Sequence, residues 1–223
     1  MNAFLVQTSD HTALIDAGGQ SLLPGLGALQ KQLATHVVTP DDINTIFLTH
    51  LHPDHVGGLM SDGSPVFPNA KVTLHESERA FWTDPGLRIK LPPDFQGFFD
   101  FVQMMVSAYG DQIETFGAET ELWPGAHSVL LPGHTPGHTG VQIEDEDGGL
   151  LIWGDIVHAD LLQLAVPDAS IAFDIDPVAA AETRKRLLSQ ISLDHRRVVG
   201  GHLSGVGKID TAGDGYVFVH DDD

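Results

Sequence analysis

Between Phe47 and Leu59 the chain reads FLTHLHPDHVGGL, and its centre, HLHPDH, sets His50, His52, Asp54 and His55 within six positions. Imidazole and carboxylate are nitrogen and oxygen donors for zinc, manganese, cobalt or iron. The chain has no cysteine, so disulfides, thiolate nucleophiles and Cys-rich zinc sites are excluded, and a metal would have to be held by these donors. His50 and His52 stand two apart on a segment that reads as extended, which lets both imidazoles face one side. Asp54 and His55 follow once Pro53 has bent the chain. That geometry suits two adjacent ions better than one.

More donors follow downstream. LPGHTPGHTG carries His134 and His138 in a Gly/Pro-rich loop, WGDIVH carries Asp155 and His158, and VVGGHLSG carries His202. A lone histidine is usually an ordinary surface or core residue, and His11, His36, His75, His127, His195 and His220 match no pattern and read that way.

The elements that must position these donors are legible in part. Residues 3–8 and 12–17 read as two strands, and Leu26, Leu29 and Leu33 give residues 25–36 helical spacing. INTIFLT is a short buried strand that ends at His50, and KVTLHE is another strand. ESERAFW and the Phe- and Met-rich stretch Asp94 to Gly110 read as helices, the second capping the core or walling an apolar pocket. Near the C-terminus, strand LLIWG stops at Asp155, a helix with Pro177 in its first turn follows, and strand RRVVGG stops at His202. Donors therefore recur where strands end, which is where α/β architectures build ligand sites on variable loops.

The 223 residues, 42% of them hydrophobic, suffice for one sizeable core, and without a linker or low-complexity segment a single domain over residues 1–223 is expected. The 31 acidic against 11 basic residues give a formal charge of −20, which disfavours nucleic acid and anionic membrane surfaces as partners. MNAFLVQTSDH has no basic leader region, and no stretch approaches the ~20 apolar residues of a membrane helix. A cytoplasmic protein is the resulting expectation.

HLHPDH, GHTPGHT, a Gly-Asp after an apolar strand and a late Gly-Gly-His, in that order and spacing, resemble the metallo-β-lactamase superfamily. Within it, THLHPDHVGGL, FPNA, FW (Phe81, Trp82), GFF (Gly97 to Phe99), FDIDP and HLS resemble the branch of methyl parathion hydrolases and related lactonases or arylesterases. The implied fold is an α/β, αββα sandwich, here without the strands that usually precede the segment matching NAFLV. Either the true start lies upstream, or a partner subunit covers the exposed sheet edge in a homodimer like those of relatives in the branch. The resemblance also implies two divalent ions, zinc by default with manganese, cobalt or iron as alternatives. One would sit on His50, His52 and His134, the other on Asp54, His55 and His202, with Asp155 bridging and His138 supporting the loop.

The implied chemistry is hydrolysis by a hydroxide bridging the two ions, in a site of about +1 that favours a developing oxyanion. Asp54 and His158 are the implied catalytic residues. His158 occupies a position where acyl-homoserine lactonases of the superfamily resemble a tyrosine that hydrogen-bonds the substrate carbonyl. Trp82 and Phe98 match the leaving-group pocket, Leu22 stands where a Phe is found in methyl parathion hydrolases, and Ile171 and Phe173 are further wall candidates. The expected substrate is a small lactone or aryl ester. Alternatives are an organophosphate triester, a thioester as in glyoxalase II, or a metal-binding protein without catalysis. The first motif lacks the Glu of flavodiiron relatives, which disfavours redox chemistry.

Overall fold

A computed structural model describes residues 1–20, 26–145 and 148–221, with Asp94 described by its backbone only. The described chain divides into two compact units, residues 1–117 and 118–223.

In the first unit, β1 (Phe4–Gln7), β2 (Thr12–Ile15), β3 (Thr45–Phe47), β6 (Lys71–His75) and β7 (Ile113–Phe116) form one sheet in that order, and β4 (Met60–Ser61) and β5 (Ser64–Pro65) make a small hairpin. β2, β3, β6 and β7 run parallel, and β1 is an antiparallel edge strand. The helices are α1 (Leu29–Thr35), α2 (Pro53–Val56), α3 (Glu76–Thr83), α4 (Pro85–Arg88) and α5 (Pro93–Tyr109). A parallel sheet needs its faces covered. Leu14, Ile46, Val72 and Leu74 of the strands share one core with Leu33 of α1, Val56 of α2, Trp82 of α3 and Phe99, Val102 and Met105 of α5. The Phe- and Met-rich stretch is thus a core helix, stopped at Gly110, which takes φ of 52°.

The second unit holds β8 (Glu121–Trp123), β9 (Ala126–Leu130), β10 (Thr139–Ile143), β11 (Leu150–Ile152), β12 (Arg197–Val199), β13 (Gly207–Ala212) and β14 (Gly215–His220), in the order β14-β13-β12-β11-β10-β9-β8. Among the described residues of this unit only β11 and β12 pair in parallel, and α7 (Pro177–Asp194) is the crossover between them, after the short α6 (Asp160–Gln163). The Asp176 side chain accepts the Ala179 N–H and Pro177 takes the first helical position, so α7 starts where its sequence says a helix can. Leu187, Leu188 and Ile191 of α7 pack on Leu151, Val198 and Ile209 of the sheet. The strands β8 to β10 and the hairpin β13–β14 are additions to what sequence reading supplied. Their segments are short or interrupted by glycine, and only pairing partners distant in sequence make them strands.

Candidate functional site

In the first unit the donors lie beyond the carboxyl ends of β2 and β3. Asp16, directly after β2, has φ of 58°. Its Oδ1 accepts the Thr49 N–H at 2.8 Å, and its Oδ2 accepts the Thr49 hydroxyl at 2.8 Å. The same Oδ2 lies 2.7 Å from His55 Nδ1. A carboxylate at Nδ1 fixes the proton there, so His55 presents the Nε2 lone pair, 3.7 Å from Asp54 Oδ2. His50 is oriented alike, with Thr49 Oγ1 3.0 Å from its Nδ1 and its Nε2 3.0 Å from His52 Nδ1. Two imidazole ligands of one tetrahedral ion at ordinary bond lengths lie about 3.3 Å apart, so this spacing fits a shared metal.

His50 and His55 are buried, whereas His52 and Asp54 are half-buried. Pro53 opens α2, which turns Asp54 and His55 out of the line of the extended segment. The close seating of this turn depends on Gly58, where a Cβ would stand 2.0 Å from the Ala17 carbonyl oxygen.

Behind the motif lies a buried carboxylate, Glu78 of α3. Its Oε1 accepts the Leu51 N–H and the Trp82 indole N–H, both at 2.9 Å. Leu51 separates the two metal-type histidines, so Glu78 holds the backbone between them. Trp82 is itself core, and its indole meets the His52 ring edge-on at 5.6 Å between centroids. Phe98 is half-buried and meets Phe95 edge-to-face at 5.7 Å. Leu22 lies outside the described residues.

In the second unit three imidazoles gather on one carboxylate oxygen. His158 Nε2 lies 2.9 Å, His202 Nε2 3.2 Å and His134 Nε2 3.7 Å from Asp155 Oδ2. The three arrive from different places: His134 from the loop after β9, Asp155 and His158 from the segment after β11, and His202 from the turn after β12. His134 is fixed from behind by Asp174, whose Oδ1 is 2.9 Å from Nδ1, so its Nε2 also faces inward as a lone pair. His138 donates its Nδ1–H to the Leu131 carbonyl and accepts the Asp155 N–H at Nε2, each at 2.9 Å. Both its nitrogens serve the loop, so it is a support and no ligand.

His158 stacks on His202 at 4.5 Å and tilts against His134 at 4.8 Å. Burial pushes its pKa down, against the opposing pull of Asp155, and favours neutral imidazole. Its Nδ1 is buried with no hydrogen-bond partner among the described residues, in contrast to the anchored Nδ1 of His134 and His55. His134, Asp155 and His158 nevertheless offer ligand atoms within 4.8 Å of one another. Burial alone would raise the pKa of Asp174, but His134, the Ile171 N–H and the Arg184 charge outweigh it and hold the carboxyl below its usual range. Ile171 is half-buried, and Phe173 is 54% exposed.

Each donor set is thus made of buried or half-buried nitrogen and oxygen groups with carboxylates turning the lone pairs inward, and it fits divalent metal. Sequence reading missed Asp16, Glu78, Asp174 and Arg184. The first and third had a faint signal, an aspartate at a strand end in LIDAGG and another in FDIDP.

The profile of the Metallo-beta-lactamase superfamily matches residues 2–202. The N-acyl homoserine lactonase AiiB of Agrobacterium fabrum is 28% identical over 179 residues, covering 68% of this chain and 61% of its own length. The chain thus spans about three fifths of that curated relative. Among solved structures, the hydrolase AbOPH of the beta lactamase superfamily superposes with a TM-score of 0.90 at 32% identity, over 98% of this chain and 78% of its own. AidC, a dizinc quorum-quenching lactonase in complex with a product, N-hexanoyl-L-homoserine, does so with a TM-score of 0.90 at 27% identity, over 97% and 78%. With a profile spanning nearly the whole chain and donor sets in both units that suit its chemistry, this protein belongs to the metallo-β-lactamase superfamily.

Proposed function

We propose that the protein is a metal-dependent hydrolase that holds two divalent ions on His50, His52, Asp54, His55, His134, Asp155 and His202 and opens lactones or cleaves aryl esters. The observation that carries this reading is the matched second layer: Asp16 behind His55 and Asp174 behind His134 each fix the tautomer a metal ligand needs. Such ions, when bound, bring the pKa of coordinated water toward ~7 and polarise the oxygen of the electrophile. The similarity to AiiB and AidC, named as lactonases, supports the substrate class, and the dizinc description of AidC supports zinc.

The chain's own residues supply the rest. Asp54, half-buried beside His55, is the carboxylate of the donor set with access to solvent; as a ligand it would be ionised and able to accept a hydrogen bond from an incoming water. His158 is neutral and carries its proton on Nε2, aimed at Asp155. Once that carboxylate is engaged by metal, the same N–H is the donor for a substrate carbonyl whose charge grows during attack. A planar ester profits from one such donor, whereas a phosphotriester already offers a strongly polar oxygen. Trp82 beside His52, Phe98, and Ile171 and Phe173 in the segment after Asp155 are the apolar groups proposed to receive the acyl or aryl portion. The working form is proposed to be a homodimer, which light scattering would test; among the described residues no helix is long and apolar enough to cross a membrane.

The deciding experiment is turnover of a chromogenic aryl ester and of an aromatic lactone by zinc-loaded protein, with and without chelator. His158→Leu at unchanged zinc content should lower both, by up to ~3 kcal/mol of barrier, while sparing a bulky phosphotriester. Absence of turnover at two bound ions per chain would defeat the hydrolase reading. Equal loss on all three substrates would assign His158 a structural role.

A further inference from the structure

We infer that Arg184 is a positioning residue for the metal centre: from one place on α7 its guanidinium holds the segment that carries His158 by hydrogen bonds and sets its charge 3.9 Å from the orienting carboxylate of His134. The inference rests on the metal-dependent reading above.

Arg184 is the largest charged side chain fully buried, at 1% exposure, and its neighbours account for that burial. Nε donates to the Ile156 carbonyl at 2.7 Å, and one terminal nitrogen donates to the carbonyls of Pro167 and Ala169 at 2.7 and 2.8 Å. The other lies 3.9 Å from Asp174 Oδ2. Ile156 directly follows Asp155, and Ala169 stands close before Asp174, so one planar fork ties together both ends of the segment between them. No other protonated side chain offers that geometry, since Lys would bring the charge at a single point.

Gln163, fully buried in the middle of the same segment, completes the frame. Its Oε1 accepts the His158 N–H at 2.8 Å and its amide donates to the Ala169 carbonyl at 3.0 Å, the oxygen that Arg184 also holds. Thr183, the residue before Arg184 on the helix, fastens the other loop. Its hydroxyl donates to the Pro132 carbonyl at 2.7 Å, two residues before His134. The chain then passes so close to α7 that a Cβ on Gly133 would stand 2.2 Å from the Ala180 backbone nitrogen. The Asp176 and Ile175 N–H groups bond the Gly133 and His134 carbonyls at 3.0 and 2.9 Å. α7 is therefore a common base on which the His134 loop and the Asp155–Asp174 segment are set, and Arg184 reaches from it to both the segment and the carboxylate behind His134.

The test is zinc affinity by competition with a chromophoric chelator, on full-length Arg184→Lys, Arg184→Met, Asp174→Asn and the double variant Arg184→Lys with Asp174→Asn. If Arg184 acts through Asp174, Arg184→Lys weakens zinc binding about tenfold, within the range outer partners of metal ligands show, and the double variant is no weaker than Asp174→Asn alone. Arg184→Met, which also removes a donor from three carbonyls, of which that of Ala169 keeps the Gln163 amide, should bind more weakly still. Should it fail to fold, the Lys variant and its cycle decide the matter. Parent-like zinc affinity in Arg184→Lys with only a lowered melting temperature would overturn the inference, as would strict additivity in the cycle. A parent protein that binds no zinc would instead overturn the metal-dependent reading itself.

Discussion

The two units carry chemically similar donors by opposite means. In the first, four donors come from six consecutive residues, and the fold only turns them and anchors them through Asp16 and Glu78. In the second, His134, Asp155 and His202 come from three separate strand ends and are framed by Asp174 and Arg184, which lie in none of the three donor motifs. A contiguous motif needs a backbone turn and a little support. A dispersed one needs a rigid base, and α7 supplies it.

The contrast is broken most directly at the two glycines that allow close seating. Gly58→Ala would push a methyl group into the Ala17 carbonyl, and Gly133→Ala would push one into the Ala180 backbone while also holding φ of 130°. Both should lose more than about 3 kcal/mol in denaturant unfolding, the second more, because clash and backbone strain add there. Parent-like stability of Gly133→Ala would show that the His134 loop does not rest on α7.

Next in size is Glu78→Leu, the first unit's counterpart of removing Arg184. It strands the buried N–H groups of Leu51 and Trp82 and should cost about 2–3 kcal/mol, with a shift in tryptophan fluorescence. Glu78→Gln keeps an acceptor and should cost less.

Asp16→Asn and Asp174→Asn compare the second layers themselves. Each should weaken zinc binding about 10- to 100-fold by chelator competition. Asp16 also accepts the Thr49 N–H and hydroxyl, both at 2.8 Å, against the one further bond that Asp174 accepts, from the Ile171 N–H at 3.1 Å with Arg184 3.9 Å away, so the Asp16 variant should lose more thermal stability. The reverse order would mean that the contiguous motif stands without its anchor.

The smallest effects belong to buried hydroxyl groups that bond the backbone. Tyr109→Phe removes a bond to the Leu59 carbonyl and a longer one from the Phe67 N–H, and Thr183→Val removes one to the Pro132 carbonyl, each variant costing about 1 kcal/mol by urea titration. Burial pushes the Tyr109 hydroxyl up to about 12. Below pH 10 the tyrosine is neutral in folded and unfolded chain alike, and the advantage over Phe is constant. Between pH 10 and 12 only the unfolded chain ionises, so that advantage should shrink and reverse. An advantage that persists to pH 12 would contradict the burial of the hydroxyl.

The amino-acid sequence by itself determined the donor types and their places at strand ends, because HLHPDH, GHTPGH, Gly-Asp and Gly-Gly-His are local patterns whose chemistry does not depend on what lies behind them. It also determined α7, through the Asp176 cap, Pro177 and the apolar spacing that follows. Only the tertiary structure decided which carboxylates orient the imidazoles. Asp16 stands 39 residues from His55, and Asp174 stands 40 from His134. It likewise made Trp82 a core residue bound to Glu78, and gave His158 Asp155 as its partner. Orientation by a second layer is set by which strand ends and helix faces meet in space, and a hydrogen bond of 2.7–2.9 Å leaves no period or spacing in the chain from which to read it.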